Sequence, residues 1–164
     1  MKFFTKKKDS PETEARELTL EERFVRAYVR KRYRARLKIE LTMPSKRYKG
    51  LSRFCHDADE LVDPECVVMR GRDLERRAEF LSFAKGVTGE CALLSPDPEL
   101  DGLSLPLAEA LEKAVFGFDA CIIMGEDFAV VFGETESGGM DKILLCDLGS
   151  ENESESKLAK LWKL

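Results

Sequence analysis

The chain has one histidine, one tryptophan and no two cysteines fewer than 11 residues apart. A metal centre of histidines needs several imidazoles, so His56 alone cannot build one. With no C-x-x-C pair among Cys55, Cys66, Cys91, Cys121 and Cys146, neither a zinc knuckle nor a thioredoxin-type redox pair is encoded. G-x-S-x-G, G-x-G-x-x-G and H-E-x-x-H are all missing, which removes the usual signatures of a serine hydrolase, a dinucleotide site and a zinc protease. The apolar runs Ala120–Met124 and Phe128–Phe132 are strand-sized, far short of the roughly 20 residues that span a bilayer. The lysine-rich start, Met1–Lys8, has only two large apolar side chains after its methionine and so lacks the hydrophobic region of a signal peptide. An odd number of cysteines, three of them in apolar stretches, reads as buried thiols in a reducing cytoplasm.

What is present is a charge split concealed by a net charge of −4. Residues 1–54 hold 17 Lys/Arg against 7 Asp/Glu, a balance of +10, whereas residues 55–164 hold 10 against 24, a balance of −14. A basic part on an acidic body implies different partners for the two, or a contact between them.

Residues 1–18 read as a mobile basic and polar arm, 19–148 as one α+β domain, and 149–164 as an acidic linker with a short terminal helix. Thr19 and Glu22 have the spacing of a capping box. From there Leu20, Phe24, Val25, Tyr28 and Val29 share one half of a helical wheel, and Arg23, Arg26, Arg30 and Arg34 form a stripe on the other. Ala35, Leu37, Ile39 and Leu41 then alternate with polar residues, which predicts a half-buried strand ended by Pro44. Arg53–Val62 fits either a short helix or a loop. Further strands are expected at Cys66–Met69 and Cys91–Leu94, and helices at Leu74–Lys85 and, capped by Ser104, at Leu105–Phe116. Ala120–Met124, Phe128–Phe132 and Lys142–Cys146 predict a three-stranded meander, with Gly125-Glu126-Asp127 as its first turn and Glu134–Met140 as a looser second. The expected fold is α+β: a mainly antiparallel sheet of five to six strands with two to four helices, packed on one face.

The arginine stripe is the leading candidate site. Four guanidinium groups on one helical face can bridge successive phosphates or an acidic protein surface, and Lys31, Arg32, Arg36 and Lys38 extend the field. Tyr28 and Tyr33 could stack on bases, although Tyr28 lies on the apolar face. The plainer alternatives are a solvated face or one docked on the acidic body.

Asp97-Pro98-Glu99-Leu100-Asp101-Gly102 resembles half a calcium loop, but the twelfth position is Ala108 and no helix precedes it. Cys55-His56-Asp57 brings thiol, imidazole and carboxylate together in sequence without an oxyanion-hole glycine nearby. Gly133–Lys142 has phosphate-loop glycine spacing but no Gly-Lys-Ser/Thr ending, and Glu134 and Glu136 would repel phosphate. Each therefore reads as ordinary loop, turn or cap chemistry.

The leading expectation is a cytoplasmic, non-catalytic protein-binding domain, adaptor or chaperone-like, that works through the basic helix and needs no cofactor or metal. Its partner is another protein or a second copy. The first alternative is an RNA- or ribosome-associated protein that holds phosphate through Arg23, Arg26, Arg30 and Arg34. The second is an enzyme that would depend on His56.

Overall fold

Thr19 starts the first helix with a reciprocal capping box: Glu22 N–H donates to Thr19 Oγ1 at 3.3 Å, and Thr19 N–H donates to Glu22 Oε2 at 3.0 Å. In the computed structural model, which describes residues 16–72, 85–116, 122–134 and 140–146, this helix, α1, is Leu20–Tyr28. Phe24, Val25 and Tyr28 are buried, each such side chain contributing about 1.5–3 kcal/mol of burial free energy.

The helix does not run on to Arg34. Val29 is extended, Arg30 is also non-helical, and Val29 forms an antiparallel bridge with Val62. Arg30 N–H donates to Leu61 O, and Asp63 N–H donates to Tyr28 O. The break thus exchanges helical hydrogen bonds for pairing with a segment some thirty residues away. The stripe is accordingly split, with Arg23 and Arg26 on α1, Arg30 in the break and Arg34 on the next helix.

That next helix, α2 (Lys31–Thr42), replaces the strand expected at 35–41. Leu37 and Leu41 are buried whereas Ala35 and Ile39 are exposed, so the alternation hides an i, i+4 pair. Arg, Lys, Leu, Ala and Glu, which dominate the segment, are also good helix formers. Met43 caps α2, and Pro44 opens α3 (Pro44–His56), where its fixed φ and missing N–H cost nothing. A Cβ on Gly50 would come within 2.9 Å of Glu40 Cβ, so glycine is what lets α3 lie against α2. The region left open between helix and loop is helical: α3 is followed by the short α4 (Ala58–Leu61).

A 3-10 turn (Pro64–Cys66) leads into β1 (Val67–Arg72). Then come β2 (Glu90–Leu94), β3 (Ser104–Pro106), α5 (Leu107–Phe116), β4 (Ile122–Met124), β5 (Phe128–Glu134) and β6 (Met140–Cys146). Ser104 does not cap α5; it starts β3 and pairs with Ala92. The fold is α+β, with one antiparallel sheet in the order β1-β6-β5-β4-β2-β3. The meander β4-β5-β6 forms as expected. Residues 74–84 of the expected helix, the tail 149–164 and most of the arm 1–18 lie outside the described residues, as do residues 135–139 of the second turn.

Helices cover both faces of the sheet rather than one, and five are described rather than two to four. Ala129, Val131, Ile143 and Leu145 pack with α1–α4, while Val130, Phe132, Leu144 and Cys146 pack with Leu107, Ala110 and Leu111 of α5. This is the physical reason Phe128–Phe132 of β5 and Ile143–Cys146 of β6 are apolar without a break.

Arg47 ties the helical layer to the loop before β3. Its guanidinium donates from Nε to Asp101 Oδ2 at 2.7 Å and from Nη2 to Asp101 Oδ1 at 2.8 Å. Nη1 donates to Glu21 Oε1 at 2.6 Å and to Leu41 O at 2.9 Å. The Asp101 carboxylate beside it raises the Arg47 pKa further. Asp101 also accepts from Ser95 N–H, and Asp97 accepts from Glu99 N–H. The acids of the calcium-like sequence are thereby used to shape their own loop and to anchor an arginine.

Candidate functional site

The helical layer concentrates positive charge. Residues 20–56 hold 12 Lys/Arg against 3 Asp/Glu, and all three acids are engaged within the layer. Glu21 pairs with Arg47 at 2.6 Å, Glu22 with Lys38 at 2.8 Å, and Glu40 with Arg36 at 2.9 Å and Arg53 at 2.7 Å. The Lys38 ammonium, with help from the Thr19 N–H, holds the Glu22 carboxyl below its usual pKa. Arg23, Arg26, Lys31, Lys46 and Lys49 are exposed and form no ion pair with another described residue.

The four stripe arginines do two different things. Arg30 Nε donates to Val62 O at 2.9 Å and its Nη2 to Asp59 O at 3.3 Å. Arg34 Nε donates to Val29 O at 2.7 Å. Arg34 thus satisfies a carbonyl at the break after α1, and Arg30 ties the break to carbonyls of α4 and its C-cap, both structural tasks. Arg23 and Arg26 are not used in this way.

Arg23, Arg26 and Arg34 do meet in one place, a cleft of about 500 Å³. They line it from α1 and α2. Asp63 and Glu65 line it from the 3-10 turn, and Glu126 from the β4–β5 hairpin tip. Ala27 and the buried Tyr28, Cys66 and Met124 form its floor, and Leu18, 38% exposed, stands among its lining residues. The parts are fixed by the main chain: Asp63 N–H donates to Tyr28 O at 2.8 Å, and Cys66 Sγ–H donates to Ala27 O at 3.4 Å. None of the six charged residues forms an ion pair with another described residue. Cations and anions therefore line one cleft without neutralising each other, an arrangement suited to a ligand that carries both signs.

Of the three tyrosines, Tyr48 is exposed on α3, but neither Tyr28 nor Tyr33 is available for stacking on a base. Tyr28 is 1% exposed. Tyr33 donates its hydroxyl to Glu60, which raises the phenol pKa, and Arg32 lies over its ring at 4.6 Å. His56 is exposed near the end of α3 while Cys55 beside it is buried, so the adjacent thiol and imidazole are separated by the helix surface. Burial also pushes the thiols of Cys91 and Cys146 up, to about 11 and about 12, which suppresses the thiolate that nucleophilic chemistry needs. Among the described residues there is no group of three or more His, Cys, Asp or Glu placed to hold a metal ion. No described helix is long and apolar enough to cross a membrane.

The sequence stripe found Arg23, Arg26 and Arg34 but missed Asp63, Glu65 and Glu126. The only signal for those acids was their position in turn sequences, which says nothing about what lies opposite. No protein-family model, curated protein or solved structure matches the chain, so the reading of this cleft rests on its own residues.

Proposed function

We propose that the chain is a non-catalytic protein-binding module, of adaptor or chaperone-like type, that holds a mixed-charge segment of a partner protein in the cleft beside α1. The observation that carries this reading is the cleft lined by Arg23, Arg26 and Arg34 together with Asp63, Glu65 and Glu126. Carboxylates of the partner would meet the arginines and its lysines or arginines the acids, with an apolar side chain against the exposed Leu18. A nucleic-acid strand fits this lining less well, because three carboxylates would repel its phosphates. The reading extends to a reducing cytoplasm, supported by the reduced, buried state of Cys55, Cys66, Cys91 and Cys146.

Fluorescence anisotropy with a labelled peptide carrying a block of glutamates and a block of lysines around a leucine tests the reading, with oligouridylate as the competing ligand. The peptide binds, and Arg23→Gln/Arg26→Gln weakens it about two- to thirtyfold, as expected for two exposed ion pairs. Tighter binding of oligouridylate, or peptide binding indifferent to both arginines, overturns it.

A further inference from the structure

A second surface lies on the other side of α2. Arg36, Ile39 and Glu40 of α2 and Ser45, Lys46, Lys49, Gly50 and Arg53 of α3 line an open groove of about 670 Å³. At roughly 100° per residue, Arg36, Ile39 and Glu40 project well over a quarter-turn away from Arg34, and the groove shares no lining residue with the cleft beside α1.

Three features of this groove go together. Its shape follows from Gly50, whose missing side chain lets the two helices touch at Glu40. Its charge is one-sided: four cations surround a single acid, and Glu40 is already held by Arg36 at 2.9 Å and Arg53 at 2.7 Å. Lys46 and Lys49 remain exposed, without an ion pair to any described residue. The groove also carries exposed aliphatic surface. Ile39 is 50% exposed within it, and Met43, one helical turn further along α2, is 41% exposed. Large aliphatic side chains are common singly on protein surfaces, but here one lies inside a basic groove with another a turn away.

We propose that the α2–α3 groove is a second docking site, for an acidic segment of a partner protein that presents a bulky aliphatic side chain between carboxylates. The aliphatic group covers Ile39. The flanking carboxylates pair with Lys46 and Lys49, while Arg36 and Arg53, fixed by Glu40, supply a standing positive field. The charge complementarity steers the partner, and the apolar contact distinguishes it from a plain polyanion such as nucleic acid, which has no side chain to place on Ile39. With the cleft on the opposite side of α2, the chain would hold two partner segments at once, as an adaptor does.

The test uses the full chain and labelled peptides of repeated Glu-Glu-Leu-Ala, with Glu-Glu-Ala-Ala repeats and oligouridylate as controls, read by fluorescence anisotropy. The leucine peptide binds saturably and at least about tenfold more tightly than the alanine peptide. Its affinity falls several-fold between about 50 and 300 mM salt, because exposed charges are screened. Lys46→Glu/Lys49→Glu weakens it by at least about tenfold, and Ile39→Ser brings it down to the level of the alanine peptide. Arg23→Gln/Arg26→Gln leaves it unchanged, which separates this site from the cleft. All of these side chains are exposed, and circular dichroism melts confirm that the variants stay folded. Equal binding of the leucine and alanine peptides, tighter binding of oligouridylate through Lys46 and Lys49, or indifference to Lys46→Glu/Lys49→Glu overturns the proposal.

Discussion

Replacing Arg47 by methionine removes a side chain that joins α1, the end of α2, α3 and the loop before β3. The guanidinium makes two hydrogen bonds to Asp101, one to Glu21 and one to the Leu41 carbonyl. It is 22% exposed, and the partner carboxylates are 25% and 18% exposed. An exposed ion pair contributes about 0–1 kcal/mol, whereas removing one partner of a fully buried pair costs about 3–5 kcal/mol. The intermediate exposure and the bidentate geometry place Arg47→Met at about 2–3 kcal/mol of lost stability. For a chain of this size that corresponds to roughly 4–12 °C in the melting temperature. Much of the loss is the penalty of leaving Asp101 with only the Ser95 N–H, so adding Asp101→Asn to Arg47→Met recovers part of it. The assay is urea denaturation of wild type, both single variants and the double variant, with Arg23→Gln as an exposed control expected within about 0.5 kcal/mol of wild type. If Arg47→Met lies as close to wild type as Arg23→Gln does, the guanidinium is not holding these elements together and the account of the layer's anchorage is wrong.

The helical phase of α2 predicts that Leu37→Ala costs about 2–5 kcal/mol while Ile39→Ala stays within about 0.5 kcal/mol; equal losses in denaturant melts would restore the strand reading of 35–41. Because the Glu22 pKa is lowered in the folded state, its contribution is present above the usual glutamate range and lost as pH falls through the folded value. The stability difference between wild type and Glu22→Gln, followed by melts across acid pH, should therefore shrink below that range; a gap that widens on acidification contradicts the Lys38 contact. With folded-state values near 11 and 12, Cys91 and Cys146 should resist iodoacetamide in the native protein at about pH 8. Peptide mass spectrometry that finds either alkylated before unfolding would contradict their burial.

The parts of the fold legible in the sequence are those set by local chemistry. The Thr19–Glu22 capping box, the Gly125-Glu126-Asp127 turn and the apolar strands around Ile123, Val130 and Leu144 all depend on neighbours within a few residues. The break at Val29–Arg30 was not legible, because no glycine or proline marks it and it is held by Arg34 on the Val29 carbonyl, by Arg30 on the Val62 carbonyl and by pairing with residues 61–63. The strand reading of 35–41 failed because a period of two contains a period of four, and only burial shows that Leu37 and Leu41 matter while Ile39 does not. The expectation of helices on one face failed although the unbroken apolar runs of β5 and β6 carried the signal against it, since alternation is what a one-sided sheet would require. Of the candidate site, half its charge was legible as the arginine stripe. The acidic half was not, because Asp63, Glu65 and Glu126 reach the cleft through strand order and the α1 break.

The central claim is that the cleft beside α1 holds a protein segment. A photo-crosslinking amino acid in place of Leu18, at the cleft lining, tests this directly in cells that express the full chain. The account predicts a discrete protein adduct that survives ribonuclease and is lost when Arg23→Gln/Arg26→Gln is added. An adduct destroyed by ribonuclease, or one unchanged by loss of both arginines, would contradict it.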